Sequence, residues 1–572
     1  MVPWVIPALR ALCSGGFFIT CGVKEDKMII TELLEKNARL YKNETALVEI
    51  NPSDERDKAT TWREASLIET AMPNSPYRRE MTWSEFDIKA NKIANLLLSR
   101  STKRGTKVGI LLMNCLEWLP IYFGVLKAGC IAVPLNYRYA ADEIQYCCDL
   151  ADIEVLVFGP EFTGRVNEIH NDMPKVKAMF FVGSDGPEYT EDLMYLINFC
   201  SSIAPPVEIK ETDYSAIYFS SGTTGFPKAI LHDHHGLYCS CLTEQNHHRQ
   251  TRDDVFLCIP PLYHTGAKMH WFGSLLSGSK AVILRGVKPE WILRAVTEEK
   301  CTIVWLLVPW AQDILDAIES GKIDLNHYLL DQWRLMHIGA QPVPPSLIHR
   351  WKKYFPNHQY DTNYGLSESL GPGCVHLGIE NTEKVGAIGI PGYMWEAKIV
   401  DENDEEVSQG EVGELCVKGP GVMKCYYKNP DATNEILKGD WLYTGDMAVK
   451  DEDGFITLVD RKKDVIISGG ENIYPVQIEA FLRKHDKIKD VGVIGLPDQR
   501  QGEITAAIIE LKEGASCTED EINDFCQELP RYKRPRKIIF APVPRNATGK
   551  IEKPKLREIY CHGRLVEVQN RS

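Results

Sequence analysis

The segment AIYFSSGTTGFPKAILHDHHG gathers Ser220, Ser221, Gly222, Thr223, Thr224, Gly225 and Lys228 in one short loop behind an apolar run with strand character. Small residues let backbone N–H groups approach an oxyanion, hydroxyls add donors and a lysine adds charge, so the loop predicts a polyphosphate site. It is not a Walker A loop, because the G-K-[ST] ending is missing and Pro227 precedes the lysine. The histidines that follow, His232, His234 and His235, have no cysteine at a useful spacing and do not form a closed zinc pattern. Structural or solvent-facing roles are expected of them.

Such a loop needs a strand to launch it and a covered sheet around that strand. Short β-branched runs at 108–112, 131–134, 155–158 and 178–182 alternate with helical periodicity, as near 118–127, which implies parallel sheets covered by helices. The longest apolar stretch, GILLMNCLEWLPIYFGVLKAGCIAVPL, carries Asn114, Glu117 and Lys127 and reads as a buried βαβ segment, not a membrane span. Beyond Gly386, the runs AKIVDENDEEV, GELCVKG and GFITLVDR are split by Asn, Asp and Gly turns, the pattern of a small β subdomain. Near Arg461 the pattern resets: Pro475 opens a helix, strands follow, and Thr518 with Glu521 suggests a helix cap. The expected fold class is therefore α/β. A large N-terminal domain of packed α/β sheets with a small β subdomain spans residues 28–460, and a small α+β domain spans 461–572. Residues 51–79 read as a long polar surface excursion.

Hydrophobic residues make up 44% and charged residues 25% of the 572, the balance of a globular protein with a substantial core. The net charge of -14 excludes an overall electrostatic footprint for nucleic acid and points to small-molecule partners. Seventeen cysteines without a C-x-x-C suggest neither a disulfide framework nor a zinc ribbon, so a cytoplasmic setting is expected. Residues 1–27 lack a basic n-region and Arg10 interrupts the apolar run, so they read as an extension of uncertain role rather than a signal peptide.

Five segments in order, SSGTTGFPK, NYGLSES, WLYTGDMA, DRKKDVIISGGENIYPVQIE and PRNATGK, resemble the motif set of the adenylate-forming superfamily, and the SGGENIYPVQIE form is most similar to its acyl- and aryl-CoA ligases. The resemblance runs from about Met28 to the C-terminus. It implies ATP, Mg2+ and coenzyme A as cofactors, and an AMP-forming carboxylate:CoA ligase that makes an acyl-AMP and then a thioester, with the reverse, ATP-forming direction left open. A carboxylate is a poor electrophile and an acyl-adenylate a good one, and both steps place negative charge where fixed cations and donors would stabilise it.

By the same resemblance Glu368 is the Mg2+ ligand, and a carboxylate suits that hard cation. Asp446 takes the ribose hydroxyls, and Arg461 supports the ribose and phosphates. Gly339, Ala340, Gln341, Asp361, Thr362, Asn363, Tyr364, Gly365, Leu366 and Ser367 wall the nucleotide. Lys550 neutralises the carboxylate and α-phosphate. Lys463 is the hinge about which a mobile C-terminal domain turns to present Ser468, Gly469, Gly470 and Glu471 to coenzyme A, with Arg531, Lys533 and Arg534 toward its phosphates. The run P-x-x-x-x-G-K ending at Lys550 also resembles a site used by lysine acyltransferases.

His264, Gly339 and Gly365 fall in segments that line the acyl pocket in the family, and those segments here carry Trp271, Trp305, Trp310 and Trp333. Several bulky rings around one cavity favour a compact cyclic or aromatic acid, ahead of short or medium straight chains, and exclude long chains. Two alternatives stay open: an adenylation enzyme that loads a carrier protein, and a noncatalytic nucleotide sensor. No stable membrane insertion is expected. Oligomeric state does not follow from the sequence, and a homo-oligomer is compatible with it.

Overall fold

The computed structural model describes residues 28–52, 76–220, 227–339, 343–371, 373–377, 383–468, 471–545 and 551–561. Nine elements position the site: strands β1 (Tyr214–Ser220) and β2 (Lys228–Asp233), helices α1 (His234–His248) and α2 (Thr265–Ser277), and strands β3 (Ile303–Leu307), β4 (Leu335–Gly339), β5 (Gln359–Tyr364), β6 (Trp441–Lys450) and β7 (Ile456–Arg461).

Two large sheets stack on a shared layer of helices. The nine-stranded sheet has a parallel interior that runs from β5 through β4, β3, Val255–Cys258 and Lys280–Leu284 to Thr45–Ile50. Arg78–Thr82 closes one edge, antiparallel to Thr45–Ile50. The polar stretch read as a surface excursion therefore ends in an edge strand. The eight-stranded sheet contains β1 and β2 beside parallel strands Ile131–Pro134, Lys107–Leu111 and Ile153–Phe158.

Strand alternation assigns the layers. Ile303 and Trp305 of β3 face a core shared with the other sheet, whereas Val304 and Leu306 face the opposite side. That shared core is filled from helices Trp83–Ser99 and Trp118–Lys127 and from α2, while helices Pro289–Glu299, Val308–Glu319 and Pro345–Tyr354 cover the outer face of the nine-stranded sheet. Helices Ala141–Leu150 and Thr163–Ile169 cover the outer face of the eight-stranded sheet. Both faces of each parallel sheet are thus buried, which is why IVWLL and VGIL read as unbroken apolar runs.

Beyond the large sheets, β6 and β7 pair antiparallel within a five-stranded subdomain with Glu396–Val400 and Gly413–Lys418. The last sheet joins Ile466–Ser468, Glu471–Ile473, Ile488–Asp498, Gly502–Leu511 and Lys537–Phe540 around Ile478, Leu482, Val493 and Ile509. Among the described residues no helix is long and apolar enough to cross a membrane.

Candidate active site

Ser220 and Lys228 face each other across the β1–β2 pair and bracket residues 221–226. Ser221, Gly222, Thr223, Thr224 and Gly225 lie outside the described residues, as do Ala340, Gln341, Gly469, Gly470 and Lys550. The Lys228 ammonium stands 4.6 Å over the ring of Tyr426. The Tyr426 hydroxyl donates to Glu368 Oε1 at 2.7 Å, and the Met423 N–H donates to the Glu368 carbonyl at 2.8 Å. Burial, and then the Glu368 carboxylate, push the Tyr426 phenol upward, so it remains a donor at neutral pH. Cation, ring and carboxylate thus form one chain beside the start of β2. Tyr426 was not found from the sequence; the aromatic pair in KCYYKNP carries no motif.

The Glu368 loop is tied to the strand behind Lys228. His232 Nε2 lies 2.9 Å from the Ser367 carbonyl, and Ser240 Oγ donates to the Leu370 carbonyl at 2.6 Å. His232 and His234 are buried, whereas His235 lies near the Glu211 carboxylate. The trio therefore serves packing and loop anchoring.

At the other end of the cleft, Asp446 of β6 stands opposite Arg461 of β7 in the strand register. Arg461 Nε donates to Asp446 Oδ1 at 2.6 Å and the Tyr364 hydroxyl to Oδ2 at 2.5 Å. Each carboxylate oxygen has two acceptor directions, so one remains at each for a ribose hydroxyl. Burial opposes the Arg461 charge, yet the Asp446 carboxylate beside it, with Tyr364 and Glu368 in the same field, holds its pKa above the ordinary value. The Glu368 and Asp446 halves of the cleft therefore sense a common cation.

Lys463 follows in the turn Lys462–Asp464, where burial lowers its ammonium pKa. This segment is anchored to the last helix by Arg557–Asp464 at 2.7 Å and Lys553–Asp460 at 3.7 Å. Arg545 and Ile551 form an antiparallel bridge that brackets residues 546–550. Ser468 pairs with Glu471 across a strand turn and its hydroxyl donates to Gln501. Arg531 and Lys533 lie in one short turn, with Lys533 donating to Gln477 at 2.7 Å, and Arg534 is turned to Gln527 and the Leu529 carbonyl.

On the acyl side His264 caps α2, its Nδ1 accepting from the Gly266 N–H at 3.2 Å. A Cβ at Gly266 would sit 2.9 Å from the Trp305 ring, so glycine lets the helix start pass directly over the indole. Gly339 ends β4, and a Cβ there would have nothing nearer than Thr362 Oγ1 at 3.8 Å. Asn363, Leu366 and Ser367 are partly exposed and Gly365 is exposed.

Two expectations need correction. The four tryptophans do not enclose one cavity: Trp271 packs its ring against Phe86 and Phe123 in the shared core, while Trp310 and Trp333 belong to the outer core, where Trp333 meets Trp351, Phe355 and His358. Trp305 on β3 faces the shared core, whereas Trp310 on the helix Val308–Glu319 and Trp333 before β4 lie in the outer one. Asp361 does not face the nucleotide side with Tyr364. It is fully buried and turned to His247, His248 and His337; burial alone would raise its pKa, but these imidazoles hold it well below the usual carboxylate range.

Known proteins bear on this geometry. The AMP-binding enzyme model matches residues 34–427, and the AMP-binding enzyme C-terminal domain model matches 477–550. The 4-hydroxybutyrate–CoA ligase 2 of Metallosphaera sedula is 30% identical, over 83% of this chain and 89% of its own length. The 2-succinylbenzoate–CoA ligase of Bacillus cereus is also 30% identical, over 84% and 94%. The crystal structure of the anthranilate CoA ligase AuaEII in complex with anthranoyl-AMP superposes with a TM-score of 0.79 at 25% identity, covering 93% of this chain and 97% of that one. These likenesses establish that the chain belongs to the AMP-binding enzyme family.

Proposed function

We propose that this protein is an AMP-forming carboxylate:CoA ligase that activates a compact acid. The observation that carries the reading is the paired arrangement Lys228–Tyr426–Glu368 and Tyr364–Asp446–Arg461, one end suited to polyphosphate and the other to ribose. The substrate carboxylate attacks the α-phosphorus of ATP and pyrophosphate leaves; the thiol of coenzyme A then attacks the acyl carbon and AMP leaves. Glu368, oriented by Tyr426, is the hard-oxygen group that fits Mg2+, which when bound supplies charge neutralisation to the phosphates. Lys228 holds the phosphates, Asp446 and Arg461 hold the ribose, and Lys550 meets the charge that develops between carboxylate and α-phosphate. The two domains divide at 460/461, Lys463 is the hinge, and Ser468, Glu471, Arg531 and Lys533 serve coenzyme A. Acylation of Lys550 by a lysine acyltransferase would remove the charge that the first step needs.

The preference for a ring-sized acid rests on Trp305 beside the α2 start, and it agrees with relatives named for anthranilate and 2-succinylbenzoate. Pyrophosphate release measured with benzoate, cyclohexane carboxylate, hexanoate and dodecanoate, with and without coenzyme A, tests both levels. Coenzyme A-dependent turnover fastest on the cyclic acids is expected. Dodecanoate preferred over benzoate defeats the substrate assignment, turnover only with a carrier protein defeats the ligase reading, and no pyrophosphate from any acid supports a sensor.

The corrected tryptophan placement gives a second expectation. Trp271→Ala empties a core position and should lower stability by about 3–5 kcal/mol while leaving the order of acids unchanged. Trp305→Ala should instead admit longer acids. Urea midpoints and the same acid panel separate the two, and an altered acid order in Trp271→Ala would count against the core assignment.

A further inference from the structure

Four side chains from three elements converge one strand turn below the Gly339 and Tyr364 ends of β4 and β5. His247 and His248 end α1, His337 lies on β4, and Asp361 is its register partner on β5. Their side chains are 1%, 0%, 0% and 0% exposed, so bulk water does not reach them. Asp361 Oδ2 is the common point: His247 Nε2 lies at 2.6 Å, His337 Nδ1 at 3.0 Å and His248 Nε2 at 3.3 Å. His248 Nε2 and His337 Nδ1 are 3.2 Å apart. A tetrahedral zinc site with bonds of about 2.0–2.1 Å has ligand-to-ligand edges of about 3.3 Å; the 3.2 and 3.3 Å separations match this, the 3.0 Å one is near it, and the 2.6 Å His247–Asp361 approach would have to open on binding.

Charge also favours a cation. Behind His248, the Glu244 carboxylate, also at 0% exposure, approaches Nδ1 at 3.4 Å. A divalent ion would balance the buried Asp361 and Glu244 carboxylates together.

We propose that His247, His248, His337 and Asp361 form a closed four-ligand site for a zinc-class divalent cation, with Glu244 orienting His248 as an outer-shell carboxylate. All four positions are protein ligands, so the ion is structural. It fastens the far end of the helix that follows the phosphate loop to the two strands whose tips carry Gly339 and Tyr364. This inference does not depend on which acid the enzyme uses.

The test is metal analysis of the full chain, prepared without a metal-affinity step and dialysed against a chelating resin. About one equivalent of zinc or another first-row transition metal per chain is expected, falling below about a tenth in Asp361→Asn and His337→Gln and remaining in His235→Gln. Chain produced with cobalt should show the visible absorption of tetrahedral Co2+, absent from Asp361→Asn. Folded wild-type chain that holds less than a tenth of an equivalent, and takes up neither Zn2+ nor Co2+ on refolding, would overturn the site. So would undiminished metal in folded Asp361→Asn. Should the variants fail to fold, the wild-type stoichiometry and the cobalt spectrum decide alone.

Discussion

Lys550→Ala should lose acid-dependent pyrophosphate release by on the order of 10²–10³, while enzyme given acyl-AMP and coenzyme A still makes thioester within a few-fold of the parent rate. In the proposed mechanism the side chain supplies a fixed positive charge to a step in which a carboxylate approaches a phosphate, and it has no part in displacement of AMP by a thiol. Lys463→Pro should show the opposite split. Lys463 sits in the turn between β7 and the last sheet, and proline there fixes φ and restricts the residue before it, so the terminal domain cannot turn. Rapid-quench measurement of each half-reaction decides the matter, and equal loss of both steps in both variants refutes the alternation of domains.

Asp446→Ala should weaken AMP and ATP binding by two orders of magnitude or more. The substitution takes the buried carboxylate away from a guanidinium that is 38% exposed, and the charge-assisted hydrogen bonds lost with it are worth about 1.5–3 kcal/mol each. It also leaves the Tyr364 hydroxyl without its acceptor and removes the ribose contact. Asp446→Asn, which keeps an acceptor at the site, should lose less. Calorimetric titration with AMP gives the affinities, urea midpoints show how much of the loss is stability, and AMP affinity within threefold of the parent in Asp446→Ala would refute the ribose role. Coenzyme A affinity should move less than twofold.

Much of this machinery was legible because it is local. The strand before Lys228, the carboxylate of NYGLSE and the aspartate of YTGD each announce themselves within ten residues, and the apolar runs at 108–112 and 131–134 read directly as buried strands. What failed was facing. Asp361 sits in the same motif as Tyr364, yet consecutive strand residues point to opposite sides, and a motif does not record which side is which. Trp305 on β3 and Trp333 before β4 look alike in sequence and end in different cores. The histidine cluster was hidden by distance: His248 and His337 stand 89 residues apart, and the parallel pairing of β4 with β5 brings in Asp361. The adjacent His247 and His248, with Glu244 one turn earlier, belong to no motif and were not singled out in the sequence.

The place of Thr45–Ile50 between Arg78–Thr82 and Lys280–Leu284 bears on how the protein is born. Its parallel partner, Lys280–Leu284, is made more than two hundred residues later. At ordinary ribosomal rates of about 5–20 residues per second, that strand waits on the order of ten seconds or longer beside only its hairpin mate Arg78–Thr82, and two-stranded hairpins are marginal in water. Nascent chains of this length expose an apolar strand edge that the finished sheet covers. Wrong pairing at that edge is therefore a hazard of synthesis more than of the finished fold.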